Sequence, residues 1–342
     1  MSMRRASGGF SLVELMVALT LSLVLMAGAL SILYSSRLTY SENERIARLQ
    51  EAGRTTLELI LRDVRAAGFN GCTRPDPTKY NNGLTNPTTL LWNFVQPLFG
   101  YDAASGAWAP ALDTTNMPSA TTGSDVVLIR TSRQGQPVFR LNAPTTDPTA
   151  DLSVNRDVTA TIAAGTTMVI SDCEYTSVFV ATGFAGAGTT ATISHAMGGG
   201  PPSNNTNSVT SNFLIDSQVM PIDTIAYYVR DSSSGNGPAL WQKIGAAAPA
   251  LLIEGVENMQ LQYGIDTDGD LLVNQYVTAN NVTNWSNVVA MSIAVLVRSA
   301  VQDGVDTDGR TYSLLGTNFG PFTDRRQRTV FTTTVALRNG AS

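Results

Sequence analysis

Few side chains in this 342-residue chain could carry chemistry, and the most telling is Glu14. It is the only formal charge between Phe10 and Tyr34, a run that is otherwise apolar or small. A continuous helix rises about 1.5 Å per residue, so the run is just long enough to cross a bilayer core roughly 30 Å thick. A carboxylate near the centre of such a span costs about 3 kcal/mol, which marks it as functional by default. Glu14 sits one turn from the start, where a shallow position and the positive helix N-terminus lower that cost. Arg4, Arg5 and the pair Gly8-Gly9 precede the run. A secretory signal would carry its small-residue cleavage site after a shorter apolar stretch, so the order here argues against one. One reading makes the acid a solvated interfacial group at the membrane surface.

Three further sets of residues qualify. Cys72 and Cys173 are the only cysteines, and an even, low number in an exported chain points to a disulfide. Closing a loop of about 100 residues contributes about 4 to 5 kcal/mol in the chain-entropy model. Two unpaired buried thiols are the alternative. Asp266, Asp268 and Asp270 place carboxylates at alternate positions, the opening of an oxygen-ligand calcium loop. Gly269 stands fourth rather than sixth and Val277 occupies the twelfth position, so this is no EF-hand. An acidic turn between strands explains the same residues. Asp303, Asp306 and Asp308 form a second, looser cluster. Calcium is thus the one cofactor the residues admit. His195 stands alone, without a CxxC pair or a nucleophile partner. No GxSxG, Walker or HExxH pattern occurs, so the chain does not read as an enzyme.

The elements that would hold these residues follow from periodicity. From Ser41 to Ala67, Ile46, Leu49, Gly53, Leu57, Ile60, Val64 and Ala67 recur at spacings of three and four, with charged residues between them. This predicts an amphipathic helix with one buried stripe, ended by Gly68. Unbroken from Phe10 to Ala67, it would extend about 87 Å. Strands are predicted at 125–130, 167–171, 177–181, 191–194, 224–230, 259–263, 288–298 and 329–337. In 288–298, Val289, Met291, Ile293, Val295 and Val297 alternate with Ala290, Ser292, Ala294 and Leu296, as in a sheet covered on one side. Residues 71–123 and 183–211, rich in Gly, Pro, Asn and Thr, read as long loops or insertions.

Composition sets outer limits. At 43% hydrophobic residues the chain can bury a real core, and 14% charged residues suit an exported domain. A pI of about 4.9 lacks a basic footprint, so nucleic acid is not an expected partner. Arg4 and Arg5 hold the N-terminus in the cytoplasm and send the rest outward.

The string GFSLVELMVAL, residues 9 to 19, resembles the leader of type IV pilins and pseudopilins. The resemblance implies cleavage between Gly9 and Phe10 by a prepilin peptidase, N-methylation of Phe10, and a role for Glu14 in neutralising the Phe10 amine of a neighbouring subunit. Cleavage also removes Arg4 and Arg5, moving the formal charge from −5 to −7. RAAGFNGC (65–72), YGIDTDGD (263–270), VVAMSIAVLVRS (288–299) and RRQRTVFTTTVALRN (325–339) are similar to the PilW family of pilus-assembly proteins. That family implies an α+β pilin fold, a long N-terminal helix packed on an antiparallel sheet head with long loops. Its organisation would be leader 1–9, membrane and filament-core helix 10–34, amphipathic helix 35–67 and head 68–342. The implied function is that of a minor pilin that primes pilus assembly and sits at or near the tip. Expected partners are other minor pilins, the major pilin, the peptidase and the inner-membrane assembly machinery. The implied location is the inner membrane, single-pass with the head periplasmic, and then the pilus surface. A type II secretion pseudopilin and a tip adhesin or ligand-binding subunit are the alternatives.

Overall fold

The computed structural model describes residues 9, 11–71, 78–103, 107–132, 135–155, 162–187, 189–209, 212–300 and 307–337. A single helix, α1, runs Leu12–Arg65. The chain divides into two compact units at Gln50 and Glu51.

In the first unit α1 is exposed over Leu12 to Tyr40, apolar side chains included. Its polar stretch carries local ion pairs, Glu42–Arg45 at 3.0 Å and Glu44–Arg48 at 2.6 Å, spaced as neighbours on a helix surface. Leu49 is buried as the stripe predicts, whereas Ile46 stays 40% exposed. Ile46 corrects the expectation of one continuous buried stripe.

The second unit opens with the last turns of α1, where Gly53, Ile60 and Val64 are buried, as is Ala67 in the turn that follows. Within this unit the α1 backbone approaches, at Gly53, a four-stranded antiparallel sheet ordered β15 (Gln275–Val277), β14 (Val256–Ile265), β16 (Val288–Arg298), β19 (Arg328–Ala336). Gly53 is the point of closest approach: a Cβ there would stand 2.3 Å from the Phe331 ring. Only glycine leaves that space. Asp63 accepts a 2.6 Å hydrogen bond from the Tyr227 hydroxyl and a 3.1 Å one from Arg62 Nε. Gly68, at φ 75°, ends the helix in the left-handed conformation, and its N–H donates to Arg130 O at 2.8 Å.

A second antiparallel sheet is ordered β13 (Ala250–Glu254), β12 (Pro238–Ile244), β11 (Asp223–Asp231), β3 (Val126–Thr131), β2 (Leu98–Tyr101). The two sheets join along a polar seam. Asn258 and Gln260 donate their side-chain amides to Gly123 O, and Asp125 N donates to Met259 O. Asp125 then accepts Ala103 N and Leu261 N, both at 2.8 Å.

Between the paired strands β3 and β11 the chain inserts residues 132–222. They carry β4 (Phe139–Arg140), β6 (Thr167–Ser171), β7 (Thr176–Val180) and β10 (Gln218–Pro221) in one sheet, completed by β1 (Tyr80–Asn82) in parallel with β7. A three-stranded sheet of β5 (Leu152–Asn155), β9 (Thr190–Ser194) and β8 (Gly183–Ala187) stands beside it. The insertion has its own core, including Phe139, Leu152, Phe179, Ile193 and Phe213. Residues 183–187, expected to be loop, therefore form a strand that pairs in a hairpin with the predicted strand at 191–194. Its glycines and alanines carry little periodicity, and cross-strand pairing overrides that composition.

The expectation that β16 is covered on one side is also corrected. Val288 to Val297 are all buried. Ala294 and Leu296 on the second face pack with Leu314, Tyr312, Phe319 and Phe322, from or beside the hairpin β17 (Tyr312–Leu314) and β18 (Thr317–Phe319). That flap is pinned by Arg328, which pairs with Asp308 and Asp324 on either side of it.

Candidate assembly site

α1 starts at Leu12 because the residues before it cap the helix. Val13 N donates to Ser11 Oγ at 3.3 Å, while Ser11 N donates back to Glu14 Oε2 at 3.2 Å. This is the capping box, serine at N-cap and glutamate three residues on, satisfying two helix-end donors reciprocally. The S-x-x-E spacing of Ser11 and Glu14 marks this box in the sequence, where the larger cost of a carboxylate in a membrane span masks it. The carboxylate is exposed on the first turn, ahead of a surface of Leu, Val, Met and Ile side chains that nothing in its own unit covers. By length and composition this helix could cross a membrane. Phe10, expected to carry the cleavage and methylation chemistry, lies outside the described residues; Gly9 is exposed, with nothing within 4 Å of where a Cβ would sit.

The acidic loop follows β14. One carboxylate oxygen from each of Asp266, Asp268 and Asp270 falls within 4.8 Å of the others, the spacing a cation would need. The loop also closes on itself. Asp266 Oδ1 accepts the N–H groups of Gly269 at 2.7 Å and Asp268 at 3.1 Å, and Oδ2 accepts Leu271 N at 2.8 Å. These backbone bonds, that from Gly269 foremost, hold the Asp266 carboxyl below the usual carboxylate range. Asp270 accepts Leu272 N, and Asn274 braces Thr267 and Asp268. Asp303 and Asp306 lie outside the described residues, and Asp308 is held by Arg310, Tyr312 and Arg328.

Because three backbone amides already occupy most acceptor sites of the Asp266 carboxylate, the loop is expected to stand as an acidic turn without calcium. A head beginning at Ser41 should melt identically in calcium and in chelator, while Asp266→Ala lowers the melting temperature in both. Calcium at 100 times its dissociation constant would add about 2.7 kcal/mol, so a chelator-sensitive melt would instead establish an ion site.

The remaining candidates separate. His195 is buried, its Nε2 lies 2.9 Å from Ala150 O, and its ring stacks edge-on against Phe179 at 5.5 Å. It is a packed core residue. Cys173 occupies the turn between β6 and β7 at φ 74°, whereas Cys72 lies outside the described residues.

A long apolar N-terminal helix with a capped acid in its first turn, followed by a mostly antiparallel sheet head, defines a type IV pilin-like protein. Residues 4–30 match the prokaryotic N-terminal methylation motif. Residues 226–339, from β11 through β19, match the family of type IV pilus-assembly protein W. Both matches bear out the resemblance seen in the sequence, and the insertion at 132–222 lies outside them. No curated protein and no solved structure matches the chain.

Proposed function

We propose that this protein is a minor pilin, a structural subunit that with other minor pilins primes pilus assembly at the inner membrane and sits at or near the tip. The observation that carries this reading is the exposed apolar face of α1 with Glu14 in its first turn. Such a face needs lipid before assembly and neighbouring helices after it. Leader 1–9 is removed, 10–34 enters the membrane and then the filament core, 35–67 continues the helix, and 68–342 forms the head outside. In a helical core the Phe10 amine of one subunit is cut off from water, and a Glu14 carboxylate beside it offsets the cost of that buried charge. A Cys72–Cys173 bridge ties the segment after α1 to the β6–β7 turn.

Mass spectrometry of the mature chain tests the reading. It should begin at N-methyl-Phe10, and without reductant it should be lighter by two hydrogens. Gly9→Val should block processing, because a branched side chain hinders a peptidase that must approach the backbone closely. A mature chain that retains Met1, or is cut beyond Tyr34, would overturn the assignment.

Glu14→Gln isolates the charge. Glutamine can still accept from Ser11 N–H and keep the helix capped, so the chain should stay in the membrane. Recovery from sheared pili should nevertheless fall several-fold. Undiminished recovery would show that the carboxylate charge is not what assembly uses.

A further inference from the structure

Most sheet edges in the head are short. β1, β2, β4, β5, β8, β13 and β15 each have two to five residues. β19 is the exception, an edge strand of nine residues. Among the described residues it pairs with β16 alone, in unbroken register from Arg298↔Arg328 to Ala290↔Ala336. Folded proteins guard long edges with lysine, proline, a bulge or an inward charge, since an open row of N–H and C=O groups invites another strand. β19 has none of these after its first residue. Thr329 to Ala336 contains no charge, proline or glycine, and Thr329, Thr332, Thr334 and Ala336 are exposed.

We propose that the free edge of β19 is a strand-addition surface, completed by an extended segment of another pilus subunit. The chemistry of the edge describes the occupant. Its central residues are uncharged and β-branched or small, to match the Thr and Val rows on either side of β19. It carries an acidic residue at the end that meets the exposed Arg325, at the entrance to the strand. Main-chain hydrogen bonds supply the affinity and alternate side chains the selectivity. Opposite charge at one end sets the direction. The surface lies within residues 226–339, the part shared with the pilus-assembly family, and it rests on the assembly role proposed above.

Photo-crosslinking in cells expressing the full-length chain tests this, with benzoylphenylalanine placed in turn at Thr329, Thr332 and Ala336. Strand addition predicts adducts on one segment of one partner subunit, advancing along it in a single direction as the probe moves. The segment should read as an uncharged core with an acid at the Arg325 end. Thr332→Lys should cut the adducts from positions 329 and 336 at least tenfold while leaving the melting temperature unchanged. Adducts scattered over unrelated segments, adducts on a second copy of this chain or on its own residues 301–306 or 338–342, or none at all, would each overturn the proposal. Correct processing to Phe10 alongside any of those results would leave the pilin assignment standing and remove only the edge.

Discussion

Replacing Arg328 with methionine is expected to destabilise the head by about 3 to 5 kcal/mol, the range for removing one partner of a buried ion cluster. The Arg328 side chain is 1% exposed. Its Nε and Nη2 reach the two oxygens of Glu257 at 2.6 and 3.1 Å, and its Nη1 and Nη2 reach those of Asp324 at 2.7 and 2.8 Å. Asp308 stands 3.3 Å from Nη1, and the guanidinium lies 3.6 Å above the Phe322 ring. Burial alone would weaken its hold on the proton, but the bonds to Asp324 and Glu257 prevail and raise its pKa above the ordinary arginine value. Methionine fills much of the volume and leaves three carboxylates facing one another. Arg298 still reaches Glu257 and Arg310 still reaches Asp308, so the loss stops short of unfolding everything at once.

The damage should be local first. Glu257 belongs to β14, whereas Asp308, Phe322 and Asp324 flank the β17–β18 hairpin, so Arg328 is what fastens that flap across the second face of β16. Hydrogen exchange in the variant should therefore rise at Ala294, Leu296 and Leu314 before it rises at Leu128 or Ile225. Arg328→Lys keeps a charge and loses the planar fork, so it should fall between the wild type and methionine. Equal urea midpoints for all three would show that the cluster only breaks even against an apolar side chain.

Very little of this cluster was legible in the sequence. RRQR looks like a basic surface run; Asp324 alone of the three carboxylates is local, and the other two lie 20 and 71 positions away. What could be read was periodic. Gly53, Ile60, Val64 and Ala67 follow the helical repeat, and 288–298 follows the strand repeat, because each repeat records a face turned to the core. The repeat in 288–298 cannot record a second cover. Ala and Ser on its weaker face fit water or a flap equally well, and the flap comes from residues with no strong pattern of their own. Glu14 was legible as a functional acid because its cost in a membrane is large. Its capping bond to Ser11 carries the smaller energy, so the membrane cost masks it. The seam at Gly123 to Asp125 was hidden in another way, since its partners lie more than 130 positions downstream.

That seam carries the second large effect, a loss of stability as pH rises through neutrality. Asp125 is 2% exposed and accepts two backbone amides. Burial pushes its carboxyl up to about 7, with the bonds from Ala103 and Leu261 pulling back and nearby Asp102 adding to the rise. In the unfolded chain the same group titrates near an ordinary aspartate, about 4. Between those values the native head binds the proton that the unfolded chain has released, so stability falls with increasing pH across the window. Each unit is worth about 1.4 kcal/mol, which sets an upper bound of about 4 kcal/mol between pH 4 and pH 8. The carboxyls held low by their partners, Asp266, Asp308 and Asp324, act in the opposite sense: their stabilisation is complete above an ordinary aspartate pKa and is lost only as pH falls through their own depressed values. A head beginning at Ser41 should accordingly melt several degrees higher at pH 5.5 than at pH 8.5. Asp125→Asn should melt at nearly one temperature across that range, and below the wild type at pH 5.5, because its Nδ2 must face one of the two amides that the carboxyl accepts. A wild-type melting temperature that holds steady or rises from pH 5.5 to 8.5 would mean that two amides suffice to keep Asp125 ionised inside the seam.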